Sequence, residues 1–388
     1  MRSNTTLLLV LLAGIGCQKA VDPAAEAFFS RLAAEGDLIT ASRVQTIPTN
    51  PSDAAWGSVP EIRLPLVSQT SVIPRSPVVQ RSELLVKALH NRREVGFLLS
   101  WKDTTRDDLE SGATRFRDAV AIGLPLNHGA GPHGASVSLP YTGMGNKGRP
   151  MNIWHWKASW QKDIEEGYQG VAEAYSQMVP NTAPIVHRTG AEAGSPLSEL
   201  KRSGPVENLI AEGFGTLTPS PDKDLKGRGI WQNGEWQVVI RRRMTVHNRL
   251  LPVTFAIWDG SNAERNGMKG LTRWRFVRFE GETAPIFPIW EDGDVKRGRE
   301  LTRDAGCVSC HNLPDSPAVN DVGPDLAHAG AIHRPEYLME SVKDPNAVIV
   351  PGNGYFDPQT GTSTMPSFEG ALEEKDFRDI ASYLRSLQ

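Results

Sequence analysis

The sequence has little cysteine, no excess of one charge and no long hydrophobic run. Its 388 residues include only three cysteines, which excludes a fold held together by several disulfide bonds. The 42 basic and 45 acidic side chains leave a net charge of −3, so a basic nucleic-acid-binding surface is not indicated. A chain of this length has room for two or three domains with ordinary hydrophobic cores.

The amino-terminal segment contains the longest apolar run, Leu7–Ile15. This run is too short for a hydrocarbon core roughly 30 Å thick, but it fits the core of a secretory signal. Gly14 and Gly16 precede Cys17, and this resembles the lipobox of bacterial lipoproteins, although that pattern prefers Leu at the position of Gly14. The resemblance implies a signal at residues 1–17 and an extracytoplasmic protein anchored only through lipid on Cys17. The alternative is an unmodified thiol in a discarded peptide.

The middle of the chain has the pattern of a β domain. Residues 18–54 are predicted to be a tether with a short helix at Ala24–Ala34. From residue 55 to residue 288, short β-rich runs alternate with turn residues, which predicts an antiparallel sandwich or barrel. The Asn233-Gly234 pair between two tryptophans predicts a hairpin. Further predicted elements are strands at Val95–Trp101, Val253–Trp258 and Leu271–Phe279 and a helix at Lys162–Met178.

The carboxy-terminal part has helical periodicity instead. Helices are predicted at Asp294–Arg303, Pro335–Lys343 and Leu372–Leu387. From Glu291 onward there are 9 Lys and Arg against 17 Asp and Glu, whereas the preceding part is net basic. The change in period and charge predicts a boundary near 285–292 and a small all-α domain at residues 289–388.

A five-residue motif in this domain, Cys307-Val308-Ser309-Cys310-His311, has the C-x-x-C-H spacing of covalent c-type haem attachment. Two thiols on one turn add to the two vinyl groups of the haem, and the following imidazole reaches the iron. The alternatives are a redox dithiol and a zinc site completed by His328 and His333.

The surrounding sequence resembles the class I cytochrome c family over roughly residues 290–388. Gly323-Pro324 follows the attachment motif, and Met365-Pro366 precedes the last predicted helix. The resemblance implies that His311 and Met365 are the axial ligands of the haem c iron. Such an iron has no open position, which suits electron transfer rather than substrate chemistry.

The central domain resembles the haem b-binding γ or C subunits that accompany molybdenum enzymes of the dimethyl sulfoxide reductase superfamily. That superfamily includes ethylbenzene dehydrogenase, dimethyl sulfide dehydrogenase, chlorate and selenate reductases, and nitrite oxidoreductase. Roughly residues 55–285 carry the resemblance. The segments concerned are Glu94–Thr104, Asp118–Ile122, Pro140–Ala158, Ala211–Thr218 and Gly227–Arg241.

The resemblance implies an immunoglobulin-like β-sandwich that holds one non-covalent haem b between a methionine and a lysine. The methionine matches Met144, with Met151 as the nearby competitor. For the lysine we choose Lys226, with Lys223 second. A lysine binds iron only as the neutral amine, and removing its proton at pH 7 costs about 4.6 kcal/mol from its reference pKa. Histidine ligation by His128, His133 or His155 is the structural alternative.

We therefore expect a dihaem electron-transfer subunit with no substrate chemistry of its own. As the resemblance implies, electrons pass between an iron–sulfur subunit of a molybdenum enzyme and a soluble cytochrome, and the fused cytochrome c domain is most like the C subunit of nitrite oxidoreductase. The acidic haem c domain would steer encounter with a basic cytochrome. One alternative is a free-standing carrier without a molybdenum partner. Another is a haem enzyme or gas sensor, which requires an open iron position.

Overall fold

The computed structural model of the chain describes residues 22–70, 74–76, 83–110, 114–126, 139–167, 202–222, 224–247, 249–286, 290–314, 322–350 and 354–388. They form a mostly β domain followed by a small helical domain, which confirms the predicted fold class. The signal with Cys17, and also His128, His133 and Lys223, lie outside the described residues. Within the described ranges, no helix has both the length and the apolar character that a membrane crossing requires.

The described secondary structure consists of short strands in the first domain and helices mainly in the second. The strands are β1 (Leu38–Arg43), β2 (Ile62–Leu64), β3 (Val67–Ser68), β4 (Leu84–His90), β5 (Glu94–Lys102), β6 (Ala119–Pro125), β7 (Met151–Lys157), β8 (Val206–Ala211), β9 (Thr218–Pro219), β10 (Leu225–Gln232), β11 (Glu235–Arg243), β12 (Leu250–Trp258), β13 (Gly270–Leu271), β14 (Arg275–Phe279), β15 (Phe356–Asp357) and β16 (Thr362–Ser363). The helices are α1 (Pro23–Ala34), α2 (Ala158–Glu166), α3 (Val295–Asp304), α4 (Ala329–Ile332), α5 (Pro335–Lys343) and α6 (Glu374–Ser386).

Strands β1 to β14 form one hydrogen-bonded sheet that folds into two layers. The switch is in β12, because Leu250–Val253 pair with β14 whereas Thr254–Trp258 pair with β6. One layer therefore has the order β10-β11-β5-β4-β1-β14, and the other has β6-β7-β8-β9. The predicted hairpin joins β10 to β11, and Asn233 and Gly234 both have the positive φ of a two-residue turn.

Strand β1 corrects the tether predicted for residues 18–54. It lies inside the sheet, parallel to both β4 and β14, and its Ile39 and Ala41 are buried. The prediction was wrong there because a six-residue run with Thr, Ser and Arg has too little apolar character to be distinguished from a linker. The sheet is thus larger than the about seven to nine antiparallel strands of an immunoglobulin domain, and two of its pairings are parallel.

The core between the layers is rich in tryptophan. Trp154 and Trp156 on β7 are fully buried, and Trp156 packs edge-on against Trp236 of β11 at 5.0 Å between ring centroids. A side chain at Gly229 would lie 2.4 Å from the Trp156 ring, so this glycine lets β10 approach the ring. This packing holds the two layers together and leaves one end of β6, β7 and β12 to line a cavity.

The helical domain packs around α6, and the predicted helices are confirmed with small shifts in their ends. Gly298 of α3 crosses α6 closely, since a Cβ there would lie 2.0 Å from the carbonyl oxygen of Asp379. Arg297 forms ion pairs with both Asp376 and Asp379. The apolar side of this packing consists of Phe377, Ile380, Ala381 and Leu384 of α6.

A buried ion cluster joins the two domains. Asp37, which is 2 % exposed, accepts hydrogen bonds from Arg273 at 2.9 Å, from Arg275, and from Arg334 of the helical domain at 2.7 Å. Burial alone would raise the pKa of the Asp37 carboxyl, but the guanidinium groups of Arg275, Arg273 and Arg334 hold it below its usual value. The carboxylate therefore stays charged and fixes the position of one domain against the other.

Candidate functional sites

A cavity of about 330 Å³ in the helical domain contains the predicted haem c residues. Cys307, Cys310 and His311 line it on one side, and Met365 lines it from the loop that precedes α6. The volume lies in the range of about 300–1,000 Å³ that is usual for ligand and cofactor sites. The structure thus brings together all four residues that the sequence assigned to this site.

The geometry of His311 leaves one ring nitrogen available for a metal. Its Nδ1 lies 2.8 Å from the carbonyl oxygen of Pro324 and therefore donates its proton there. This fixes the tautomer with an unprotonated Nε2, which is the form that binds iron. Burial lowers the pKa of the imidazole, so the ring is neutral. Gly323 is required beside it, because a Cβ would lie 2.7 Å from the ring.

The two cysteines are free and lie on one short turn. Gly306 adopts a left-handed conformation, with φ of 74°, and a 3₁₀ helix follows at Cys307–Ser309. The zinc alternative has no support, since no cluster of cysteine and histidine ligands occurs in the described ranges and His328 bonds to the carbonyl of Gln388. The arrangement suits attachment of one planar group through both sulfur atoms.

A second cavity, of about 800 Å³, lies in the β domain. Its walls are mostly apolar and come from β6, β7, β12 and β13 and from the loops around Met144 and Phe214. Polar and charged side chains also line it, Arg117, Glu207 and Glu264 among them. Its candidate ligands for a haem iron are Met144, Met151, His155, Lys157 and Lys269.

The loop that contains Met144, residues 139–150 before β7 (called the Met144 loop), has a fixed shape. Gly145 has a positive φ of 73° and donates to the carbonyl of Tyr141 at 2.8 Å. The Asn146 side chain accepts from the Tyr141 amide at 3.0 Å, and the Met144 carbonyl accepts from Gly213 at 3.0 Å. The loop therefore presents Met144 to the cavity, where the buried Met151 is its neighbour.

Lys269 is the cationic side chain best suited to bind a metal in this cavity. It is 5 % exposed and forms no ion pair in the described part of the chain, and its Nζ donates to the carbonyl of Gly143 at 3.2 Å. Burial lowers the pKa of its ammonium group to about 8. Lys157 has a similar pKa, but its Nζ is paired with the carboxylate of Glu207. Lys269 thus gives up its proton without breaking an ion pair.

The structure does not place Lys226, the lysine ligand predicted from the sequence, in this cavity. Lys226 is exposed on β10, opposite Arg241 of β11, and does not line the cavity. Because side chains alternate along a strand, the burial of Leu225 turns Lys226 outward. The sequence analysis missed Lys269. Its one signal is weak: Lys269 is the only charge in the segment Gly267–Leu271, directly before the short strand β13.

His155 remains the histidine alternative within the described residues. Its ring stacks on Trp258 at 4.7 Å between centroids, and its buried Nε2 has no hydrogen-bond partner there. Burial lowers its pKa well below the usual value, and the nearby charge of Lys157 adds to this. His155 is therefore a neutral donor in the same cavity.

Aromatic rings separate the two cavities. Tyr141, at the start of the Met144 loop, lies 5.7 Å from the His333 ring and 5.6 Å from the Tyr337 ring, and both of those rings line the helical-domain cavity. Phe214, which lines the β-domain cavity, lies 6.1 Å from Tyr141 on the other side. The cavities are thus neighbours across a thin protein wall.

Both cavities fit haem groups by the chemistry of their donors. The helical-domain cavity offers two thiols, an imidazole nitrogen and a thioether, which is the donor set of a c-type haem. The β-domain cavity offers a thioether and an unpaired, easily deprotonated amine between apolar walls, and it contains no cysteine for covalent attachment. The second site therefore fits a non-covalent haem.

Comparisons with known proteins match the β domain and the helical domain to two different families. A family model described as ethylbenzene dehydrogenase matches residues 53–270, and a cytochrome c model matches residues 295–388. The chlorate reductase subunit gamma of Ideonella dechloratans is 24% identical over 300 residues, which cover 72% of this chain and 100% of that protein. The dimethylsulfide dehydrogenase subunit gamma of Rhodovulum sulfidophilum is 25% identical over 258 residues, covering 61% and 78%.

Among solved structures, a family 9 carbohydrate-binding module from Caldicellulosiruptor kristjanssonii has a TM-score of 0.32 and 7% identity. It covers 65% of this chain and 100% of its own.

Proposed function

The chain belongs to the ethylbenzene dehydrogenase family and carries a cytochrome c domain, and we propose that it is the dihaem electron-transfer subunit of a periplasmic molybdenum oxidoreductase. It is an electron-transfer component and not the catalytic subunit of such a complex. A bound haem iron supplies one-electron oxidation and reduction at each site. The residues of this chain hold, orient and shield the two groups.

In the helical domain, Cys307 and Cys310 would hold the haem c covalently. His311, which its hydrogen bond to Pro324 orients, would bind the iron through Nε2, and Met365 would bind it through its sulfur. With both side chains bound, the iron would have no open site for a substrate.

In the β domain, we propose that Met144 and Lys269 would hold the iron of a haem b. Burial makes the Lys269 amine easier to deprotonate, and coordination then supplies the remaining free energy. The mostly apolar wall excludes water and favours retention of a flat apolar group without a covalent bond.

The partners and location remain part of the proposal. We propose that electrons pass between an iron–sulfur subunit and a soluble cytochrome through this chain, as in complexes of the nitrite oxidoreductase type. The acidic helical domain suits a basic cytochrome partner. Lipid on Cys17 would anchor the protein outside the cytoplasmic membrane.

The observation that carries the proposal is the pair of neighbouring cavities, one with thiols for covalent attachment and one with only non-covalent donors. Purification of the native protein tests the complex, and it should bring molybdenum and an iron–sulfur subunit with it. Isolation as a salt-independent monomer would instead support a free-standing carrier. The rate of electron transfer to a basic cytochrome should fall as ionic strength rises. A rate that does not fall would contradict electrostatic attraction between the acidic helical domain and that cytochrome.

A further inference from the structure

Three aspartates from separate strand ends converge on one point of the β domain. Asp103 follows β5, Asp118 precedes β6 and Asp259 follows β12. One carboxylate oxygen from each lies within 4.8 Å of the other two. Asp103 is 6 % exposed and Asp118 is 0 % exposed, whereas Asp259 is half-buried.

In the ranges that the structure describes, none of the three carboxylates forms an ion pair with Lys, Arg or His. Gathering like charges away from water is unfavourable unless a proton or a cation neutralises them.

Backbone and side-chain donors surround both Asp118 and Asp259. Asp118 accepts on one oxygen from Gly260 N–H at 2.9 Å, and on the other from Asp107 N–H at 2.7 Å and Trp236 Nε1–H at 2.9 Å. Both oxygens of Asp259 accept from the residues that follow it. In the described structure, Asp118 Oδ1 and Asp259 Oδ2 each accept a single hydrogen bond, which leaves a lone pair on each oxygen for a cation.

Asp103 provides a separate observation, because one of its oxygens has no hydrogen-bond partner in the part of the chain that the structure describes. Its Oδ1 accepts from the amide and hydroxyl of Thr105, both at 3.1 Å. Its Oδ2 is buried and, among the described residues, lacks any hydrogen-bond partner. The buried Oδ2 of the neighbouring Asp107 also lacks a hydrogen-bond partner among the described residues. Buried carboxylate oxygens without a donor are costly, and a bound cation would satisfy them.

We propose that Asp103, Asp118 and Asp259 bind a calcium ion. The donors are all oxygens, which hard cations prefer and zinc does not. Two oxygens on one calcium ion lie at most about 5 Å apart, twice the metal–oxygen distance, and the observed separations fit this limit. Magnesium usually keeps several waters and is held through one or two carboxylates, so three protein carboxylates, two of them buried, favour calcium.

The ion would fix the ends of both layers of the sheet. Asp103 directly follows β5 in one layer, and Asp118 directly precedes β6 in the other. Arg117 and Ala119, on either side of Asp118, line the β-domain cavity, so the cluster lies directly behind a cavity wall. The proposal does not depend on which group fills that cavity.

Calcium titration of the full chain after treatment with a chelator tests the site directly. We expect one calcium ion per chain by calorimetry and a higher melting temperature in calcium chloride. Asp103→Asn and Asp259→Asn should each weaken binding by roughly tenfold or more, since each removes one ligand charge. The half-buried Asp259 position keeps the test available if the variant at Asp103 does not fold.

The matched control is Asp304→Asn, which removes an exposed carboxylate with no ion pair in the described structure and should bind calcium like the natural chain. Absence of calcium uptake and of any change in melting temperature would overturn the proposal. So would unchanged calcium affinity in both cluster variants, or binding of magnesium as tight as that of calcium.

Discussion

In the helical domain, three of the four candidate haem contacts lie within the five residues Cys307–His311, whereas in the β domain Met144 and Lys269 are 125 positions apart. The first site is a short turn that carries its own attachment chemistry. The second exists only when β12, β13 and the Met144 loop are folded together. Occupancy of the second site should therefore depend on the fold, and occupancy of the first on covalent bonds.

The largest effect should come from removing both attachment thiols. Cys307→Ala combined with Cys310→Ala should abolish covalent haem c completely, because the described residues that line the two cavities include no other cysteine. Haem staining of a denaturing gel measures this. Ser309→Ala is the matched control on the same turn and should keep the stain. Covalent haem in the double variant would show that this motif is not the attachment site.

The next effect concerns the lysine in the β-domain cavity. Lys269→Ala should remove the b-type absorbance and leave the c-type absorbance, since it deletes the unpaired buried amine. Lys226→Ala, at the exposed β10 position, should change neither spectrum. Loss of the b-type spectrum in the Lys226 variant but not in the Lys269 variant would reverse our assignment. Loss only in His155→Ala would identify the histidine as the ligand.

The contact between the two regions depends on Asp37. Asp37→Asn should cost about 3–5 kcal/mol of unfolding free energy, because it leaves buried guanidinium groups without a counter-charge. Denaturant unfolding followed by tryptophan fluorescence measures this cost. A change below about 1 kcal/mol, which is typical of exposed pairs, would contradict the role of this cluster.

Acid should weaken the same contact. The pKa of Asp37 is lowered in the folded protein, so its stabilisation is complete above the unfolded value of about 4 and is lost as pH falls through the lower folded value. The stability difference between the natural chain and Asp37→Asn should therefore shrink below about pH 4. A difference that stays constant from neutral pH into acid would exclude a charged Asp37 as its source.

The smallest effect is expected at the second interdomain pair. Arg149 on the Met144 loop bonds Glu340 of α5 through two nitrogens, at 3.0 and 2.5 Å, and both side chains are partly exposed. Arg149→Gln should cost about 1 kcal/mol or less by the same denaturant measurement. A cost as large as that of Asp37→Asn would mean that this pair, and not the buried cluster, holds the domains together.

The two regions also differ in how far their residues were predictable. The c-type motif is local chemistry at fixed spacing, so Cys307, Cys310 and His311 follow from the sequence. The β10–β11 hairpin and α5 are equally local, because turn residues and helical periodicity specify them. Lys269 was missed because what distinguishes it is burial, and strands distant in sequence create that burial. Strand β1 was missed for the same reason, since its neighbours β4 and β14 supply the environment that a polar run lacks.

The count and type of haem in the purified full chain test the account most directly. The pyridine haemochrome spectrum, recorded before and after extraction with acidified acetone, should give one b-type haem that leaves with the solvent and one c-type haem that stays on the protein. A single haem per chain, or two haems that both resist extraction, would contradict the division into a covalent and a non-covalent site.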